Sequence, residues 1–97
     1  LTIQARIAHA LGNPALPRLE QALAGRWHED WPNARMAAVY ALSAPRFHAR
    51  WLALTGLAPQ AWLRARRLDR AAVLLRAGLT LEAAALQVGY ASASALA

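Results

Sequence analysis

The chain has 97 residues and a formal net charge of +6, with eleven basic side chains, all of them arginine, against five carboxylates. That length supports one domain with a modest core and not two domains, and the absence of cysteine excludes a disulfide framework or a thiolate metal site. No apolar run approaches the roughly 18–20 uncharged residues of a membrane span, and the first residues lack the pattern of a secretion signal, so a cytoplasmic protein without membrane partners is expected.

Alanine, leucine and arginine dominate and turn residues come in isolated clusters, which reads as all-α. Ile3, Ile7 and Leu11 stand at helical spacing, and Gly12-Asn13-Pro14 ends that first helix. Pro17 opens a second helix with Leu19, Leu23 and Trp27 as its stripe, expected to run to about Glu29. After a break at Trp31-Pro32-Asn33, a third helix is expected to about Ala41, with Met36, Val39 and Tyr40 on its apolar face.

Ser43 suits the N-cap of a fourth helix, with Pro45 tolerated in a first turn whose amides have no helical partner. Phe47, Trp51 and Leu54 form its stripe and Gly56 stops it. The longest helix is expected from Gln60 to about Ala77, with Leu68, Ala71, Ala72 and Leu75 as an i, i+3, i+4, i+7 face and Gly78 just past its end. Thr80 caps a sixth helix reaching Val88, and Gly89-Tyr90-Ala91 turns into a seventh from Ser92. The chain starts at Leu1 and stops at Ala97 in an apparent helix, which reads as a piece of a longer protein.

Two stretches share one grammar. Met36-Ala37 leads to Ala41, a turn and Phe47; Ala84-Ala85 leads to Gly89, a turn and Leu96. A small residue mid-helix lets a partner helix approach, a small residue at the corner permits the turn, and an apolar anchor locks the pair. One such corner is common among helical proteins. Two, joined by a long arginine-bearing helix, are far more specific.

The stretch TGLAPQAWLRARRLDRAAVLLRAGLTLEAAALQVGYASAS, Thr55 to Ser94, resembles the signature of the AraC/XylS family of bacterial transcription regulators. Thr55-Gly56-Leu57-Ala58-Pro59 is similar to the loop leaving the first recognition helix. Trp62-Leu63, Arg67-Leu68, Ala71-Ala72 and Leu74-Leu75 match the linker helix, and Val88-Gly89-Tyr90 with Ser92 match the second corner. Upstream, Trp31, Met36-Ala37, Ser43, Phe47 and Trp51 fall at the landmarks of the first unit. The resemblance covers about residues 17–97.

It implies an all-α, homeodomain-like fold of two helix-turn-helix subdomains, about 33–54 and about 80–97, joined by a linker helix over about 60–77. The second unit is incomplete, and residues 1–16 would be a connector from a sensory domain that precedes it. The two recognition helices would enter successive major grooves of double-stranded DNA. RNA polymerase, a small-molecule effector bound by the preceding domain, and a second copy of the chain are the further partners implied.

The resemblance places Pro45, His48, Ala49 and Leu52 towards the bases in the first unit, and Ala93, Ser94 and Ala97 in the second. Arg46, Arg50 and Ser92 become candidates for phosphate. Only His48 of the first set can hydrogen-bond a base, whereas Pro45 and Ala49 offer at best contact with a thymine methyl. A typical member carries long polar or basic side chains at such positions. Arg50 has a second reading, packed beside Phe47 and Leu54. Arg64, Arg66, Arg67 and Arg70 are candidates for internal pairing, Arg67 being structural by its family position.

Trp27, Trp31, Trp51 and Trp62 suit core packing better than base stacking. His9, His28 and His48 are too scattered for metal-ligand spacing. Glu20, Glu29, Asp30, Asp69 and Glu82 form no recognisable acid–base pair, and neither a phosphate loop nor a nucleophile elbow is present. No enzyme, metal or cofactor is therefore expected. The competing reading is a degenerate helical module for protein interaction or dimerisation, supported by the sparse polar chemistry on both recognition helices.

Overall fold

In the computed structural model, which describes residues 15–96, Leu16, Leu19 and Leu23 share one stripe of helix α1 (Ala15–Leu23) and are buried. The expectation of a helix reaching Glu29 is corrected. α1 stops at Leu23, and Gly25 follows with a φ of 73°. Trp27 sits at helical spacing from Leu23 but lies half-buried in the turns after α1. The expected helix carrying Ile3, Ile7 and Leu11 lies outside the described residues, as does Ala97.

Helix α2 (Asn33–Ala38) ends before Ala41, another correction, because Ala41 itself turns into the left-handed region with a φ of 54°. The Leu42 amide then donates to the Ala37 carbonyl at 3.1 Å and the Ala41 amide to the Ala38 carbonyl at 3.1 Å. This pair of reversed bonds satisfies carbonyls that a helix end leaves without partners. Alanine in this region costs about 1–2 kcal/mol relative to glycine, partly offset by the greater unfolded-chain freedom of glycine. Ala41→Gly should therefore raise stability by roughly 0.5–1 kcal/mol, read as a higher denaturation midpoint.

Helix α3 (Ala44–Thr55) begins as expected at Ser43, whose hydroxyl accepts from the Arg46 amide at 3.4 Å. It stops at Gly56, φ 77°, whose amide returns to the Leu52 carbonyl at 2.9 Å. Phe47, Trp51 and Thr55 are its buried face. The Thr55 hydroxyl is satisfied locally, donating to the Trp51 carbonyl at 2.8 Å and accepting from the Leu57 amide at 3.1 Å.

Helix α4 (Pro59–Arg76) is the longest, and α5 (Leu81–Gln87) follows with Thr80 accepting from the Ala83 amide at 3.1 Å. The buried face of α4 is only partly the expected one: Ala71 is on it. Leu68 and Leu75 are 38% and 39% exposed, while Trp62, Leu63, Ala71 and Leu74 face inward. The reason is that α4 serves two cores in succession. Trp62 and Leu63 complete a first cluster with Leu19, Met36, Phe47 and Trp51; Ala71 and Leu74 complete a second with Ala84 and Val88. In place of the expected seventh helix, the described residues hold one 3-10 turn, Ala93–Ala95, with Leu96 packed against the second core.

The second corner repeats the first. Tyr90 donates to the Ala85 carbonyl at 2.9 Å and Gly89 to the Leu86 carbonyl at 3.2 Å, with Gly89 at a φ of 99°. Residues 37, 38, 41 and 42 thus map onto 85, 86, 89 and 90, and both Ala37 and Ala85 are fully buried. Among the described residues there is no strand.

Tyr40 ties α1 to the first corner. Its hydroxyl accepts from the Leu19 amide at 3.0 Å and donates to the Ala15 carbonyl. Burial pushes its pKa up from 10.0 to about 12. The folded state therefore favours the neutral phenol, so this contribution is complete below about pH 10 and is lost as pH rises towards 12. Denaturant midpoints measured across that range should fall for the wild type and fall less for Tyr40→Phe.

Candidate nucleic-acid interface

The exposed side of α3 is set by its buried side. With Phe47, Trp51 and Thr55 turned inward, Pro45, His48, Ala49 and Leu52 share one side of the helix beside that buried face at i, i+3, i+4 and i+7, and all four are exposed. Leu52 is 47% exposed. Arg46 and Arg50 lie together beyond the Ala49 edge of this strip, both exposed and without a carboxylate partner among the described residues. Arg50 also borders an apolar groove shared with Phe47 and Leu54, the surroundings its second reading named.

Ser92, Ala93 and Ser94 follow the second corner. Ser92 and Ser94 are exposed and their hydroxyls lie 3.0 Å apart, whereas Ala93 is half-buried. Ser92 precedes the 3-10 turn without capping it, since its side chain accepts no backbone hydrogen bond there. Its hydroxyl is left facing Ser94 and solvent.

Three arginines are committed internally. Arg66 pairs with Glu20 at 3.3 Å and with Asp69 at 3.7 Å. Arg35 pairs with Glu29 at 2.6 Å and stacks its guanidinium 3.8 Å from the centre of the Trp31 ring. The Arg35 hydrogen bond holds the Glu29 carboxyl below its ordinary value. Arg67 donates to the carbonyls of Trp27 at 3.2 Å and Glu29 at 2.9 Å, and burial pulls its pKa down. Arg67 thus fastens the turns after α1 to the middle of α4, and its guanidinium lies against Gly89 of the second corner.

Sequence reasoning missed the Arg35–Trp31–Glu29 corner and the role of Gln60, which donates to the Trp31 carbonyl at 2.8 Å and to Asn33 at 2.9 Å. No periodic signal marks side chains that bond to loop carbonyls. Trp31, Trp51 and Trp62 are buried and Trp27 half-buried, which leaves none of them as a free stacking platform. Among the described residues, no group of three or more His, Cys, Asp or Glu is placed to hold a metal ion, and no helix is long and apolar enough to cross a membrane.

A family model described as a helix-turn-helix domain matches residues 36–97. The DNA-binding domain of AdpA, a global transcriptional factor solved in complex with a target DNA, superposes with a TM-score of 0.73 at 31% identity, covering 86% of this chain and 75% of that one. A DNA-binding transcriptional dual regulator from Escherichia coli K-12 superposes with a TM-score of 0.70 at 22% identity, covering 84% of this chain and 73% of that one, which speaks for the fold alone. No curated protein matches the chain.

Proposed function

Because the chain belongs to the AraC-type helix-turn-helix family, we propose that it acts as a sequence-specific, DNA-binding transcription regulator that sets two recognition segments into successive major grooves. The observation that carries this is the duplicated corner. Two turns of the same hydrogen-bond pattern are held by one helix that completes the core of each.

In this reading α3 is the first recognition helix, with Pro45, His48, Ala49 and Leu52 towards base edges. Ala93, Ser94 and Ala97 take that place in the second unit, and Arg46, Arg50 and Ser92 hold phosphate. Contacts with RNA polymerase, with an effector-binding domain ahead of α1 and with a second copy belong to the same proposal.

The test is the salt dependence of duplex binding by the full-length protein. Affinity drawn from phosphate contacts falls steeply with salt, because counterions released on binding gain less entropy in a more concentrated solution. Arg46→Ala should weaken binding to any duplex about equally and make the slope of log K against log salt shallower by about 1. His48→Ala should instead change discrimination among sites, by about 1–3 kcal/mol for a well-formed base contact. A full-length protein that retards no duplex at low salt would overturn the proposal in favour of a protein-interaction module.

A further inference from the structure

We infer that the first recognition helix reads thymine methyl groups, so that this half of its target is a thymine-bearing run recognised through apolar contact. The inference rests on the DNA-binding reading and specifies what the α3 strip recognises. One exposed leucine needs no explanation on a protein surface. Leu52, however, lies in register with Ala49 and Pro45 on a face bordered along one edge by two arginines with no carboxylate partner among the described residues.

Three of the four strip residues have no side-chain hydrogen-bonding group. Pressed against a G·C pair, they would strip water from the polar edges of guanine and cytosine and return nothing. The thymine methyl is the one apolar group that an unmodified major groove presents. Pro45 to Leu52 spans about 10 Å along the helix, roughly three base-pair steps. His48, on the same face, supplies the single polar contact that fixes register within that run. Arg46 and Arg50, beside the strip rather than on it, fit the flanking phosphates.

The experiment selects duplexes from a random pool with the full-length protein at low salt, then replaces each recurring dT by dU. That exchange deletes one methyl and leaves base pairing intact. Recurring thymines should fall within about three consecutive base pairs, and the dU exchange should weaken binding about fourfold per methyl contacted. Leu52→Ala should abolish the dT-to-dU difference at one position and leave it at the others. Because Leu52 is exposed, its loss should not move the melting temperature.

Equal affinity for dT and dU duplexes by a protein that still selects a sequence would overturn the inference while leaving the DNA-binding reading standing. Unaltered dU sensitivity in Leu52→Ala at every position would also overturn it, moving the methyl contacts off this strip. Failure to select or retard any duplex would overturn both readings.

Discussion

Replacing Trp51 with alanine should cost roughly 3–5 kcal/mol, a large share of the 5–15 kcal/mol typical of a domain. Trp51 is 2% exposed and stands at the centre of an aromatic cluster. Its ring centre is 5.1 Å from Phe47, 5.7 Å from Tyr40 and 5.1 Å from Trp62, the last edge-on. Those rings belong to, or directly follow, α2, α3 and α4, so the cavity would open where three elements meet and none can close it alone. Thermal unfolding should shift down by more than about 12 °C. Trp51→Phe is the informative control. It keeps most of the ring volume and removes an indole N–H that has no hydrogen-bond partner among the described residues. It should cost far less than the alanine exchange. An unchanged midpoint in Trp51→Ala would show that this ring does not hold the first core together.

Where a single residue type decides the local structure, the fold was legible. Ser43 and Thr80 are good caps on any reading of the chain, and Gly56, Gly78 and Gly89 all take positive φ where a helix must stop. The paired corners were visible because small residues recur at matching positions. Their equivalence goes further than that spacing implied, since even the reversed hydrogen bonds correspond. Ala41 hid its conformation, as alanine carries no signal for the left-handed region that its place in the repeat demands.

Periodicity misled where one helix had to satisfy two neighbours. On α4, Leu68 and Leu75 look like core beside Ala71 and Ala72, but the buried line runs through Leu63, Ala71 and Leu74, interrupted by Arg67. A charged residue on a buried line appears in sequence as a break in the stripe. Here it is an anchor for loop carbonyls. Trp27 misled in the opposite sense, since its spacing from Leu23 continued a helix that the chain leaves. For the candidate interface, the α3 strip was named through the family resemblance, and its four residues are exposed. What that strip touches depends on a partner's chemistry, which hydrophobic periodicity does not encode.

Gly89→Ala should be more damaging than the same exchange at Gly25 or Gly78, costing roughly 2–4 kcal/mol. Part of that is backbone, because an L side chain is disfavoured at the Gly89 φ of 99° by about 1–2 kcal/mol. The rest is space. A Cβ there would stand 2.8 Å from the Trp27 carbonyl oxygen and 3.1 Å from the Arg67 guanidinium. Neither group yields easily. Arg67 is held by the Trp27 and Glu29 carbonyls, and retreat would strip a partly buried cation of its acceptors. Gly78→Ala separates the two contributions, since Gly78 has a φ of 102° with nothing within 4 Å of its added Cβ, and should lose only the backbone part. Chemical denaturation of both variants would give the difference directly. Because the obstructed contacts join the second corner to Arg67 of α4 and to Trp27 in the turns after α1, Gly89→Ala should also tilt the segment from Ser92 relative to α3. Affinity for a duplex carrying both half-sites should then fall even under conditions where the variant remains folded, whereas Gly78→Ala should bind like the wild type. Equal losses of stability in the two variants would show that the Arg67 clamp gives way, and that the close packing at Gly89 does not fix the angle between the units.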